Sequence, residues 1–517
     1  MNENVLVNDP VPYWIASTPE TDYPPLQEEL AVDVAIVGGG MVGILSGYLL
    51  SRAGLKVAVL EASRILQGTT GHTTAKLTSQ HSLIYDRLKK SVGEEQARQY
   101  ADANEAAIHM IDDLAGEHHI ECDFLWRPAF VYTQSDKYIE KLEKEAEAAS
   151  SLGIVASVVE RLALPFPIKA ALRFDHQAQF HPLKFLKALA EEMVKNGGQI
   201  FEKTHAIEIE EGRTCVVNTS QGQRVRAGQV IIATHYPFFD GGGLYFSRIY
   251  QERSYLISIE SADKLSPGMY ISAETPTRSL RSQRYRGGEM ILIGGENHKT
   301  GQCQNTNRCY QNLIQFARDN FKVKEILYHW STQDCMTLDG IPYVGRLTMR
   351  SPDLYLATGF GKWGMTGSAA SAMILRDLIT RGESPWAPVY NPSRATSAST
   401  IVNFIVQNAD VAKNYVAGKL EPAMDNLDLD KDQAQVVHVD GQKMGAYRDE
   451  TGKVHMVDIT CPHVGCELEW NHAERSWDCP CHGSRFSYEG DIIEGPAQYC
   501  LSHIEQQPNP VDPHVYQ

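Results

Sequence analysis

The sequence predicts an α/β (α+β) nucleotide-binding domain of the Rossmann type, interrupted by an inserted antiparallel-sheet domain and followed by a separate all-β domain. Three observations carry this expectation. An apolar strand pattern, Val32–Val37, runs into Gly38-Gly39-Gly40-Met41-Val42-Gly43 and a helix over Met41–Ala53. Helix and strand patterns then follow one another to about residue 385. Beyond that come short alternating strands at Val436–Val439, Lys443–Tyr447 and Val454–Asp458, ahead of two half-sites, Cys461-Pro462-His463 and Cys479-Pro480-Cys481-His482.

The 517 residues, 43% hydrophobic and 22% charged, suffice for about two to four domains with ample core. A net charge of −16 disfavours nucleic acid or an anionic membrane surface as partner. Met1–Tyr13 is polar and Pro-containing, unlike a secretory leader, and no apolar run reaches the roughly 18 residues of a spanning helix. Of the ten cysteines, Cys461, Cys466, Cys479, Cys481 and Cys500 lie at or near the half-sites. Cys122, Cys215, Cys303, Cys309 and Cys335 are scattered and read as ordinary thiols, which points to the cytoplasm.

Taken in order, the residues up to about 30 are Pro-rich and expected on the surface. The first strand, the glycine turn, the helix and a second strand at Lys56–Leu60 form the βαβ dinucleotide fingerprint. Gly38 makes the turn, Gly40 admits a pyrophosphate against the backbone, and Gly43 lets helix pack on strand. Met41 and Val42 open the helix, whose N-terminus offers donors and a positive dipole. Glu61 follows about 20 residues on, where an acid bonds ribose hydroxyls. A glycine turn that binds nothing is the alternative; strand, helix, second strand and acid together disfavour it.

Two Cys and two His are what a Rieske [2Fe–2S] centre requires. Cys461 and Cys479 are assigned to one iron, His463 and His482 to the other. Structural zinc uses the same ligand types but leaves Cys466 and Cys481 unexplained. The segment resembles Rieske proteins of the cytochrome bc type. That resemblance implies a Cys466–Cys481 disulfide tying the loops, a covering proline loop at Gly495-Pro496-Ala497, and a Ser484 hydrogen bond to a bridging sulfide. Phe486 departs from the family, whose high-potential members carry Tyr there; its loss implies a lower potential.

Gly68-Thr69-Thr70-Gly71-His72-Thr73-Thr74-Ala75-Lys76-Leu77-Thr78 is a small, hydroxyl-rich loop after the second strand. With it, residues of about 30–385 resemble the D-amino-acid oxidase (DAO) superfamily of FAD enzymes. The resemblance implies that Gly68, Thr69 and His72 pass along the isoalloxazine; His72 is either a covalent flavin link or a residue packed near the ring. Lys76 is a candidate charge near the flavin or a solvated lysine. Ala206-Ile207 falls where the family clasps adenine by backbone, and Ala233 ends a strand returning to the FAD domain. Asp339-Gly340-Ile341-Pro342-Tyr343-Val344-Gly345 and Leu356–Gly367 resemble the closing motifs. There Gly359, Gly364, Met365 and Thr366 meet the flavin pyrimidine, and helix Thr366–Arg381 aims its N-terminus at N1/O2.

Sarcosine oxidases, which belong to the superfamily this stretch resembles, carry a carboxylate-binding Lys about where Thr366 stands and a flavin-linking Cys about where Thr332 stands; this departure from the resemblance disfavours N-methylglycine. Trp330 and Lys362 are pocket-wall candidates. Arg281, Arg284 and Arg286 hold one candidate carboxylate anchor or are solvated strand charges. No second GxGxxG follows in the middle region.

The expected organisation is a flavin-binding oxidoreductase over 1–385, a linker and helix over 386–423, and the Rieske domain over 424–517. Within the first part, the FAD domain takes about 30–80, 180–235 and 330–385, and the substrate domain about 85–180 and 240–330. The elements expected there include a helix over 84–117, a strand pair over Cys122–Tyr132, and helices over Lys137–Ser151 and up to Asn196. Function is expected to be oxidation of an amine, N-methyl or amino-acid-type substrate at FAD, with single electrons leaving through the cluster to a carrier protein or quinone. The alternatives are reverse flow from a ferredoxin for a reductive or oxygenating reaction, and a non-catalytic redox sensor or electron-transfer module.

Overall fold

Val34–Val37 is apolar without interruption, a pattern suited to a strand covered on both faces. In the computed structural model, which describes residues 10–395, 397–420, 422–424 and 427–503, these four residues are buried. Residues 1–9 and 504–517, to which the N-terminal reading and the end of the expected Rieske domain extend, lie outside the described residues. Leu30–Val37 pairs in parallel with Val57–Leu60 on one side and Arg224–Ile232 on the other. Gln199–Phe201 and Leu354–Thr358 extend the sheet in parallel, and Tyr343–Arg346 closes one end antiparallel. Helix Met41–Arg52 packs between helices Pro182–Lys195 and Gly364–Arg381. The loops at the carboxyl ends of these parallel strands are the usual ligand crevice of such a sheet.

A nine-stranded sheet is built largely from the intervening residues. Its order runs Val323–Thr337, Ile249–Ser261, Gly288–Lys299, Arg278–Tyr285, Met269–Ser272, Leu125–Thr133, Ala170–Gln179, Lys76–Leu77, with Ala156–Val159 on Ala170–Gln179. Most neighbours are antiparallel, and Met269–Ser272 runs parallel to Leu125–Thr133. The expected strand pair at 122–132 is one strand, Leu125–Thr133. Pro128 supplies no donor, and the ladder shifts register between Arg127 and Ala129 instead of turning back. Helix Tyr85–Glu117 is broken at Gly93, whose φ of 84° is outside the helical range.

Two expectations are corrected. The N-terminal segment does not lie loosely on the surface: Trp14 is fully buried and its Nε1 donates to Thr73 O at 2.7 Å. The expected linker after 385 is packed down as well. Tyr390 is buried and stacks on Tyr100, and Arg394 donates to both carboxylate oxygens of Asp339 at 2.8 Å. Proline content marked both segments as irregular but said nothing of the aromatic and guanidinium anchors between the prolines.

The chain divides into two compact units, Met1–His298 with Arg308–Gln407, and Lys299–Asn307 with Asn408–Gln517. The boundary falls inside helix Ala398–Leu420. The second unit holds a three-stranded antiparallel sheet, Gln433–Val439, Gln442–Arg448 and Val454–Asp458. Beside it is a four-stranded one, Glu469–Asn471, Ser476–Asp478, Arg485–Ser487 and Ile492–Glu494. Among the described residues no helix is long and apolar enough to cross a membrane.

Candidate functional site

The first site begins at the glycine turn. Gly38 has φ 109°, and a Cβ there would lie 2.5 Å from Ala233 O, so neither its conformation nor its neighbour admits a side chain. A Cβ on Gly43 would overlap the Gly38 carbonyl, which explains the third glycine. Gly40 faces open space apart from Thr70 Oγ1 at 3.3 Å, leaving the approach a pyrophosphate needs. Met41 N donates to Thr70 Oγ1 at 3.0 Å; Val42 is buried in the same first turn. Glu61 accepts from Gly39 N at 2.8 Å and Ser63 N at 3.0 Å. Burial raises its pKa, against the opposing pull of these two bonds. Each carboxylate oxygen keeps a further lone pair for a ribose hydroxyl. Ala206 is buried at the start of strand Ala206–Glu210.

The loop after the second strand is held from several directions. Thr69–His72 forms a 3₁₀ turn following Gly68, beside which a Cβ would meet nothing within 4 Å. His72 Nδ1 donates to Gly68 O at 2.9 Å, because a carbonyl can only accept. Trp330 is fully buried and donates from Nε1 to His72 O at 3.0 Å. Trp14 holds the next carbonyl. Its contribution is invisible to motif reading, since nothing near it in sequence resembles a site. Thr78 N donates to Thr366 Oγ1 at 2.8 Å, joining this loop to the first turn of helix Gly364–Arg381. Gly359, at φ 77°, abuts Thr337; Gly364 and Met365 open the same helix.

The charged candidates separate into two groups. Arg281 is fully buried and donates to Thr74 O at 3.0 Å, Ala75 O at 2.6 Å and to Gln283, so it braces the loop from beneath. The Arg284 side chain is two-thirds exposed. Lys76 donates to Tyr270 O at 2.8 Å and Ser279 Oγ at 2.7 Å. Burial of its amine, together with the Arg281 charge, lowers it to about 7. Lys362 lies within 3.1 Å of Asp334 and 3.2 Å of Glu252, and donates to Ser254 Oγ at 2.9 Å. Burial works against its charge, but the two carboxylates raise its pKa above the ordinary value. Glu252, Ser254 and Asp334, absent from any motif, became visible only through strand pairing, which sets Glu252 opposite Asp334.

These residues fit FAD. The turn is cut to backbone dimensions on one side and open on the other. The three segments 68–78, 330–337 and 359–366 converge through the bonds above.

The second site is built on two loops. Cys461-Pro462-His463 follows strand Val454–Asp458, and Cys479–His482 follows Ser476–Asp478. Each loop is a tight turn: Gly465 N donates to Cys461 O at 2.9 Å and Gly483 N to Cys479 O at 3.0 Å. Cys461 and Cys479 are buried. A hydrogen bond between the two thiols pulls Cys461 down and pushes Cys479 up, which marks their sulfurs as close neighbours. The His463 and His482 rings stand 5.0 Å apart at 86°. His463 Nδ1 is buried with no hydrogen-bond partner, as expected of a nitrogen reserved for a metal. Burial depresses both imidazoles, His482 to about 4, which keeps them neutral and able to ligate. Cys466 and Cys481 form a disulfide across the loops, with their sulfurs and that of Cys479 all within 4.8 Å. Ser484 Oγ accepts from Ala497 N at 3.0 Å, tying in the 495–497 loop, and Phe486 is fully buried. This donor set fits a [2Fe–2S] cluster.

Fold and sites together define a flavin-binding oxidoreductase with a Rieske domain on the same chain. Family models match on both counts: FAD dependent oxidoreductase (DAO) over residues 33–378 and Rieske [2Fe-2S] domain over 420–505. The chain belongs to the DAO family of FAD-dependent oxidoreductases, binds FAD, and carries a Rieske [2Fe–2S] domain. It is 42% identical over 505 residues, 98% of this chain and 99% of the relative, to YhfW of Bacillus subtilis (strain 168), named as a Rieske 2Fe-2S iron-sulfur protein. It is 26% identical to gamma-glutamylputrescine oxidoreductase of Escherichia coli (strain K12), over 72% of this chain and 89% of that one. Among solved structures, glycine oxidase from Geobacillus kaustophilus shares the fold with a TM-score of 0.62 at 18% identity, covering 71% of this chain and all of that one.

Proposed function

We propose that this oxidoreductase is a dehydrogenase for an amine, N-methyl or amino-acid-type substrate that hands its electrons singly to a carrier protein or a quinone. The observation that carries the reading is the presence, in one chain, of a flavin cradle and of a Cys2His2 cluster site. FAD at the first site supplies a hydride acceptor, and the cluster at the second supplies a one-electron relay of higher potential than an all-cysteine cluster. The chain's own residues position and polarise. Trp14, Trp330 and Arg281 fix the backbone of 72–75, so the wall facing a substrate is formed before anything binds. The N-terminus of helix Gly364–Arg381 directs its dipole at the same space and favours negative charge there. Lys362, held by Asp334 and Glu252, and Lys76 are the wall groups that carry or lose charge. The hydrogen bond from Nδ1 to Gly68 O fixes the His72 ring on this loop, where it would link to or pack near the flavin. We assign residues 1–385 to the flavin part, 386–423 to the connection and 424–517 to the Rieske part. The overall acidity and the free buried Cys122, Cys215 and Cys335 support a cytoplasmic location without nucleic-acid partners.

The test is an anaerobic titration of the FAD- and iron-loaded protein with a panel of amines and N-methyl amino acids. Visible absorbance follows the flavin and electron paramagnetic resonance the cluster. Bleaching by one compound, followed by growth of a Rieske-type signal, is expected. Failure of every compound, with a reduced ferredoxin filling first cluster and then flavin, would reverse the direction of flow.

A further inference from the structure

We infer that the site takes a cationic amine without a neighbouring carboxylate. The inference rests on the amine-dehydrogenase reading and narrows its substrate class. The charges around the converging segments 68–78, 330–337 and 359–366 are accounted for one by one. Arg281 spends its donors on Thr74 O, Ala75 O and Gln283. Lys76 is bound to Tyr270 O and Ser279 Oγ, and its enclosure discourages a full positive charge. Arg253, fully buried, lies on the other face of its strand and donates to Ser331 Oγ. On the Thr332–Asp334 face, Lys362 is the remaining cation among the described residues, and two carboxylates, Asp334 at 3.1 Å and Glu252 at 3.2 Å, meet it. One lysine against two acids leaves an excess negative charge, partly desolvated, since the Asp334 and Glu252 side chains are only 8% and 19% exposed. Such a charge attracts an ammonium and repels a carboxylate.

A second, independent observation points to a ligand at the same place. Thr332 stands two residues from Asp334 on the same strand face, opposite Ser254, and its buried Oγ1 has no partner. A buried hydroxyl left unbonded costs stability unless something arrives to bond it. An ammonium N–H is a suitable donor. The lining is therefore acceptor-rich: Asp334, Glu252, Ser254 and Thr332. The inference concerns recognition, and no bond changes in it.

The experiment uses the full-length, FAD- and iron-loaded protein under anaerobic conditions. Flavin bleaching is titrated with diaminobutane and N-methylbutylamine, and in parallel with N-methylglycine and L-proline. The cationic amines are expected to half-saturate at concentrations at least about tenfold lower than the carboxylate-bearing ones. Asp334→Asn and Glu252→Gln, which keep size and shape, should each raise that concentration about tenfold while flavin content and absorption stay put. Lys362→Met should lower it. Bleaching by N-methylglycine or L-proline at equal or lower concentration overturns the inference and leaves the amine-dehydrogenase reading intact. An unmoved half-saturation in both acid variants overturns it too. If dithionite bleaches the flavin and no amine of either kind does, both fall together.

Discussion

His81 illustrates how a single residue here is committed by its surroundings. Its Nε2 donates to Thr78 O at 2.7 Å, so Nδ1 accepts from the Tyr100 hydroxyl at 2.6 Å, and the ring stacks on Trp363. Burial lowers its pKa from 6.5 to about 3. Between those values the unfolded chain holds a proton that the native chain lacks. Its contribution is therefore complete above the unfolded value of 6.5 and is lost as pH falls towards 3. The slope is about 1.4 kcal/mol per pH unit for one such group. His81→Gln should flatten the acid limb of denaturation midpoint against pH; parallel limbs for variant and parent would dismiss the assignment. His181, also lowered to about 3 by burial, keeps the limb from vanishing. At the second site, Phe486 is buried against Trp477 across the sheet and offers no hydroxyl to the cluster. Phe486→Tyr is expected to raise the cluster's midpoint potential, and a voltammogram showing no change would remove the argument.

At the scale of elements, the turn from strand Leu30–Val37 into helix Met41–Arg52 tolerates no bulk. Gly43→Ala pushes a methyl into the Gly38 carbonyl, so helix and strand must separate. The expected outcome is loss of bound FAD, read from the flavin-to-protein absorbance ratio, with an overpacking cost of about 1–3 kcal/mol in stability. Full flavin occupancy in this variant would show that the turn is not the cradle. This element was legible in the sequence because its information is local: strand pattern, glycine spacing and acid lie within about 30 residues. The cluster loops were legible for the same reason, as was the pairing of Cys466 with Cys481 once the resemblance was drawn. The packing of Trp14 on Thr73 and of Arg394 on Asp339 was not, because each joins segments separated by 59 and 55 residues without any shared motif. Lys76, Trp330 and Lys362 are legible as individuals, but their partners are not: long-range packing brings Tyr270 O and Ser279 to Lys76 and His72 O to Trp330, and strand register sets the two acids that meet Lys362.

Across the whole molecule, each unit has its own apolar interior. The apolar interior of the flavin unit includes one cluster around Ile36, Leu45 and Ile374 and another around Val217, Ile232 and Leu356. The Rieske unit has another, around Val457, Trp477 and Phe486. Cys461→Ser is therefore expected to abolish the cluster's paramagnetic signal while FAD content and substrate bleaching persist. Steady-state reduction of a one-electron acceptor should fall by orders of magnitude. Simultaneous loss of FAD would mean that the units do not stand independently. The sequence by itself determined the two cofactors and the order of the two parts, and it proposed the four cluster ligands, because each is written in residues close together in the chain. The tertiary structure decided the charge balance around the flavin site, because Glu252, Asp334, Lys362 and Thr332 meet only when two strands about 80 residues apart take their register. Side-chain identity says which groups can ionise; only pairing and burial say which of them remain to meet a substrate.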